Sequence, residues 1–177
     1  MIYKNIGIKA RCKNPEEILK FLDQSKSKNN YFDIQKDIYF DTKNENDDIR
    51  KIKKGNFENS FIGYKKRENS DLLEKDAHII ELRKDPPGQL EKIARKTHDI
   101  LGETEKTRHT YLINNIKINI DKVKDLPGNY ISIESIKKQE NFDLDSQRKQ
   151  VEHYKDLLEI REKDLIFDSY IDMLNKK

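Results

Sequence analysis

The segment Glu105–Ser135 limits what this chain can become more than any other stretch. It reads as three β-strands in succession. Lys106, Arg108, Thr110 and Leu112 share one face of the first; Thr107, His109, Tyr111 and Ile113 share the other. Asn114-Asn115 is a two-residue turn whose residues tolerate positive φ, a hairpin signal. The second strand alternates strictly, with Ile116, Ile118 and Ile120 on one side and Lys117, Asn119 and Asp121 on the other. After the turn Leu126-Pro127-Gly128, Ile131 and Ile133 lie opposite Tyr130, Ser132 and Glu134. Three neighbouring strands therefore carry one apolar face and one face bearing both cations and carboxylates.

The rest of the chain supplies more of the same. Asn5, Gly7, Lys9 and Arg11 alternate with Ile6, Ile8, Ala10 and Cys12. Asn14-Pro15-Glu16-Glu17 opens a helix, with Asn as cap, Pro in the first turn and acids at the positive end of the dipole. Residues 25–30 read as a polar loop. Strands are predicted over 35–41, 49–54, 60–67 and 77–82. Asp85-Pro86-Pro87 opens a second helix running to about Leu101 and stopping at Gly102. Asp143–Ile160 forms a third helix and Asp164–Leu174 a short fourth. Eight alternating strands and four helices predict an α+β protein, an eight-stranded antiparallel β-barrel or tunnel with helices packed outside, as a single domain over residues 1–177.

Composition narrows the partners. Only 34% of residues are hydrophobic and 39% are charged, so the core must be economical. The 36 cations and 33 anions are well mixed, without the concentrated basic stripe of a duplex nucleic-acid binder. One cysteine excludes an internal disulfide, no apolar run approaches the length of a membrane span, and no secretory signal is visible. A cytoplasmic protein that takes neither membrane nor duplex is expected; the oligomeric state stays open. The four histidines are scattered and Cys12 sits on an apolar face, so none suggests a nucleophile or a metal cluster.

Two readings of the charged faces stand side by side. They form a solvated surface, the usual fate of charge on an antiparallel sheet, or they line a hollow. Lined by Lys9, Arg11, Lys51, Lys53, Lys65, Lys106, Arg108 and Lys117, a hollow suits an extended polyanion, because Lys and Arg neutralise phosphate oxygens. Asp37, Asp121 and Glu134 would then hold Mg²⁺ or Mn²⁺.

An ordered set of motifs resembles the CYTH (triphosphate tunnel) superfamily, in particular its class IV adenylyl cyclase-like branch. The matching segments are Asn5-Ile6-Gly7-Ile8-Lys9-Ala10-Arg11, Gln35-Lys36-Asp37-Ile38-Tyr39-Phe40, Lys51-Ile52-Lys53, Tyr64-Lys65-Lys66, Lys106 to Leu112, Lys117 to Val123, Leu126 to Glu134 and Asp164 to Leu174. The resemblance implies a charged tunnel, a triphosphate or nucleotide ligand and a divalent metal. The activities it implies are triphosphate hydrolysis and ATP cyclisation; a non-catalytic binder of nucleotides, polyphosphate or cyclic nucleotides is the alternative. By position, Lys9, Arg108, Asp121 and Glu134 would be catalytic, all eight of these cations would grip phosphates, and Asp121, Glu134 and Asp37 would hold metal. Three departures stand out, and the two that remove a carboxylate imply a weakened metal site. The family usually has a glutamate where this chain has Gly7, and another at Ser132; Asn119 replaces a histidine.

Overall fold

The computed structural model describes residues 2–25, 29–41, 47–54, 57–66, 74–82, 89–136 and 143–176. Eight strands occur in the order β1 (Ile2–Cys12), β2 (Asn29–Phe40), β3 (Asp47–Lys54), β4 (Phe57–Lys66), β5 (Glu74–Leu82), β6 (Ile100–Ile113), β7 (Ile116–Val123) and β8 (Asn129–Ser135). Helices α1 (Pro15–Gln24), α2 (Gln89–Thr97), α3 (Leu144–Leu157) and α4 (Tyr170–Asn175) complete the chain. The protein is α+β, its sheet is antiparallel, and its helices lie on the outer face.

Five strands carry the described side chains. They pair in the order β2-β6-β7-β8-β1. The backbones of β3, β4 and β5 continue from the far edge of β2 to the first half of β1. The β6–β7 hairpin turns at Asn114, whose φ is 54°, and Gly128 enters β8 at φ 76°.

The isoleucines face the helices. Ile6, Ile8, Ala10 and Cys12 of β1, Ile116, Ile118 and Ile120 of β7, and Ile131 and Ile133 of β8 form one buried cluster with Leu22 of α1 and Val151 of α3. Period-two alternation on adjacent strands in matched register produces this: Ile118 pairs with Ile133, and Ile8 with Ile133 from the other side. Cys12 belongs to this core, and burial pushes its thiol up to about 11. A second cluster, Ile38, Phe40 and Ala94, docks α2.

Three of the boundary differences from the sequence reading bear on the site. β2 begins at Asn29, inside the segment read as a loop, because residues 29–34 pair with β6 along Thr107–Leu112. The second helix ends at Thr97 and β6 starts at Ile100, which pairs with Phe40. Gly102 is a strand residue rather than a helix stop. A Cβ built there would lie 2.4 Å from Ile171 Cδ1, so its role is the close packing of α4. The C-terminal stretch is helical only from Tyr170. Before it, a 3₁₀ turn over Glu162–Asp164 leads into an extended piece: Leu165 bridges Ala10, and Ile166 N–H donates to the Lys9 carbonyl. α4 then opens on a capping box formed by Ser169 and Asp172. No helix among the described residues is long and apolar enough to cross a membrane.

Candidate functional site

The face opposite the isoleucines is polar and withdrawn from solvent. Asp37, Lys106, Thr110, Asn119 and Asp121 are each 3% exposed or less. A face open to bulk water would leave such side chains exposed, so the solvated-surface reading does not hold for them. Buried polar groups require partners, and the register provides them. Arg108 pairs with Asp121, Thr110 with Asn119, Asn119 with Ser132, Lys117 with Glu134, and Ser132 with Lys9.

The middle of the wall is a neutral chain. Thr110 Oγ1–H donates to Asn119 Oδ1 at 2.9 Å, and Asn119 Nδ2–H donates to Ser132 Oγ at 2.9 Å. On either side stand ion pairs. Arg108 donates from Nε to Asp121 Oδ1 and from Nη2 to Asp121 Oδ2, both at 2.6 Å, the two-pronged geometry that suits a guanidinium and a carboxylate. Lys106 is paired with Asp37, both buried. Lys117 Nζ lies 2.7 Å from Glu134, at a more exposed level of the wall.

The C-terminal segment closes on this arrangement. The Tyr170 hydroxyl donates to Asp121 Oδ2 at 2.8 Å. Its ring lies 4.7 Å from Lys9 Nζ and 5.6 Å from Lys106 Nζ, within cation–π range of both ammonium groups. Its other neighbour is Tyr130, with ring centroids 5.3 Å apart. Lys9 Nζ also donates to the Asp168 carbonyl. Burial first, and then the Asp121 carboxylate, hold the Tyr170 phenol protonated well above its ordinary range, so it remains a donor. For Arg108, burial works against the charge, but the Asp121 carboxylate outweighs it and the guanidinium pKa is raised.

Of the residues expected from sequence, Lys9, Lys106, Arg108, Lys117, Asp37, Asp121 and Glu134 come together on this wall. Arg11 is exposed and lines an outer cleft of about 650 Å³ together with Lys13 and Arg161. The side chains of Lys51, Lys53 and Lys65 lie outside the described residues; the backbone sets Lys51 opposite Ile38, Lys53 opposite Lys36 and Lys65 opposite Ala77. Tyr170 is the residue the sequence reading missed. It falls on the apolar spacing of α4 and reads there as core; its signal is a hydroxyl among apolar neighbours, which needs a partner when buried.

The donor set does not fit a resident divalent ion. Mg²⁺ and Mn²⁺ need carboxylate oxygens turned toward them. Both oxygens of Asp121 already accept hydrogen bonds, two from Arg108 and one from Tyr170. Asp37 is buried against Lys106, and Glu134 faces Lys117. Ser132 accepts from Asn119. Among the described residues, no group of three or more His, Cys, Asp or Glu is placed to hold a metal.

Position 7 is closed to a carboxylate by the backbone. A Cβ on Gly7 would lie 2.7 Å from the Ile133 carbonyl oxygen and 3.0 Å from Glu134 Cγ. Gly7→Glu is therefore expected to force β1 from β8 and to cost about 1–3 kcal/mol. Chemical denaturation of the variant, with and without Mg²⁺, checks this. Wild-type stability together with Mg²⁺-dependent stabilisation would contradict it.

The chain belongs to the CYTH family: the CYTH domain matches residues 4–166. No match is found among curated proteins. Among solved structures, PH1012 protein from Pyrococcus horikoshii is 25% identical over 97% of this chain and 99% of its own, with a TM-score of 0.81. A candidate adenylate cyclase from Vibrio parahaemolyticus is 14% identical, covers 97% of each chain and has a TM-score of 0.75. HpAC1 from Hippeastrum, a candidate adenylyl cyclase described as revealing a dominant triphosphatase activity, is 12% identical, with 99% of this chain and 96% of its own covered and a TM-score of 0.66. The family binds triphosphate substrates and is generally metal-dependent.

Proposed function

We propose that this protein binds the phosphate chain of a triphosphate-containing small molecule, a nucleotide or inorganic triphosphate, in a tunnel formed by its eight strands within a single domain. One observation carries the reading: the ammonium groups of Lys9 and Lys106 lie over the Tyr170 ring whose hydroxyl meets the Arg108–Asp121 pair, on a face removed from water. Desolvated cations bind phosphate more strongly than surface ones, because screening is weak there. Family membership and the triphosphatase activity named for the Hippeastrum protein support the same ligand class.

Binding is favoured over metal-assisted turnover by the engaged state of the carboxylates. Lys9, Arg108, Lys106 and Lys117 would hold phosphate oxygens. Asp121 and Asp37 would fix the cations, and Glu134 would sit beside Lys117 at the more open level.

Thermal melting with tripolyphosphate, ATP and, as a control, sulfate at matched ionic strength tests this. Each ligand is run with chelator and again with Mg²⁺ or Mn²⁺, and products are resolved. Ligand at 100 times its Kd should add about 2.7 kcal/mol of stability. Tripolyphosphate is expected to raise the melting temperature in chelator, where sulfate does not. No shift with any triphosphate would end the proposal. Metal-dependent release of phosphate or of a cyclic product would instead assign hydrolysis or cyclisation to the same wall.

A further inference from the structure

We infer that Tyr170 and Asp121 act as a positioning pair that aims Arg108 at the ligand, so that the C-terminal segment is part of the anion site and Asp121 works through the guanidinium instead of through a metal. The inference rests on the proposed triphosphate-binding reading and names how one cation of that site is set. A guanidinium has five N–H donors in one plane. Asp121 takes one from Nε and one from Nη2, which fixes the plane and turns Nη1 away from the carboxylate. The remaining donors, two on Nη1 and one on Nη2, are thereby presented as a pre-aimed fork; a lysine at this position would be a point charge on a flexible stem. Ordering a long side chain before the ligand arrives lowers what binding must spend on immobilising it.

Asp121 itself needs an anchor. Its third hydrogen bond comes from Tyr170, the first residue of α4. That residue is seated by contacts on its ring and by its neighbour in the helix. Tyr130 packs on its ring, Lys9 Nζ lies over the ring, and Ile171 beside it packs against Gly102 of β6. The segment before the helix is held along β1 by Leu165 and Ile166. The chain from Leu165 to Tyr170 is thus a strap from β1 to the Arg108–Asp121 pair, joined to Asp121 by one hydrogen bond.

A cycle of charge-conserving substitutions tests this without altering the electrostatic attraction for the ligand. Tripolyphosphate affinity is measured in chelator for wild type, Tyr170→Phe, Arg108→Lys and the double variant. Tyr170→Phe keeps the ring, its packing on Tyr130 and its cation–π contacts, and removes only the hydroxyl. Affinity is expected to fall about fivefold in Tyr170→Phe and about tenfold in Arg108→Lys. The double variant should be no weaker than Arg108→Lys by more than about twofold, because a lysine has no plane to aim. A merely structural Tyr170 would give losses that multiply, and that result overturns the inference. So does a Tyr170→Phe protein that binds as wild type does, which decides the matter alone if Arg108→Lys does not fold. Failure of the wild type to bind tripolyphosphate would instead sink the triphosphate-binding reading on which the inference stands.

Discussion

Lys106→Met is expected to remove about 3–5 kcal/mol of folding stability. The reason is Asp37, whose side chain is fully buried and ion-paired with Lys106, itself almost fully buried. Methionine preserves the length and apolar body of the lysine, so the packing change is small. What is lost is a charged partner of a deeply buried carboxylate. Equilibrium denaturation at neutral pH measures the effect. Replacing both partners, Lys106→Met with Asp37→Leu, should recover most of the loss, since a buried pair exchanged for apolar groups of similar size is often neutral. A loss below about 1 kcal/mol in the single variant would match a surface pair. It would mean that this face is wet, against the burial of its side chains.

Ile118→Ala, one residue from Asn119, is expected to cost about 2–5 kcal/mol and to leave tripolyphosphate affinity unchanged. Ile118 is wholly buried in the cluster that β1, β7 and β8 form with α1 and α3. Its neighbour Asn119 points to the opposite face and bonds to Thr110 and Ser132. The two substitutions therefore separate scaffold from wall. Denaturation midpoints and affinities for Ile118→Ala and Asn119→Ala check the assignment. A change of affinity in the first, with unaltered stability, would show that the strand presents its isoleucines to the ligand.

Much of this was legible in the sequence, and the failures have physical causes. Alternation in Ile116–Asp121 and Tyr130–Glu134 separates two faces, and the structure keeps that separation. Alternation cannot say which face is enclosed, because a strand carries no record of what covers it. The burial of Asp121 and Asn119 supplies that. Leu165 and Ile166 extend the apolar spacing of Tyr170, Ile171 and Leu174, so spacing alone predicts a longer fourth helix. Their backbones instead add to β1, a tertiary contact that outweighs helical propensity. The start of β2 was missed because Tyr31, Phe32 and Ile34 are exposed large apolar residues, so no clean polar–apolar alternation marks the strand. The carboxylates were identified as residues but not by partner. Sequence spacing gives no sign that Arg108, thirteen positions away, would pair with both oxygens of Asp121.

The narrow seam at Gly7 bears on how this chain could change. There the main chain of β8 itself forms the surface, with no room for an atom beyond Cα on the facing strand. Any acid introduced at that position must first prise two hydrogen-bonded strands apart. An acid at that position is therefore expected to recover full stability only beside a second substitution that widens the seam.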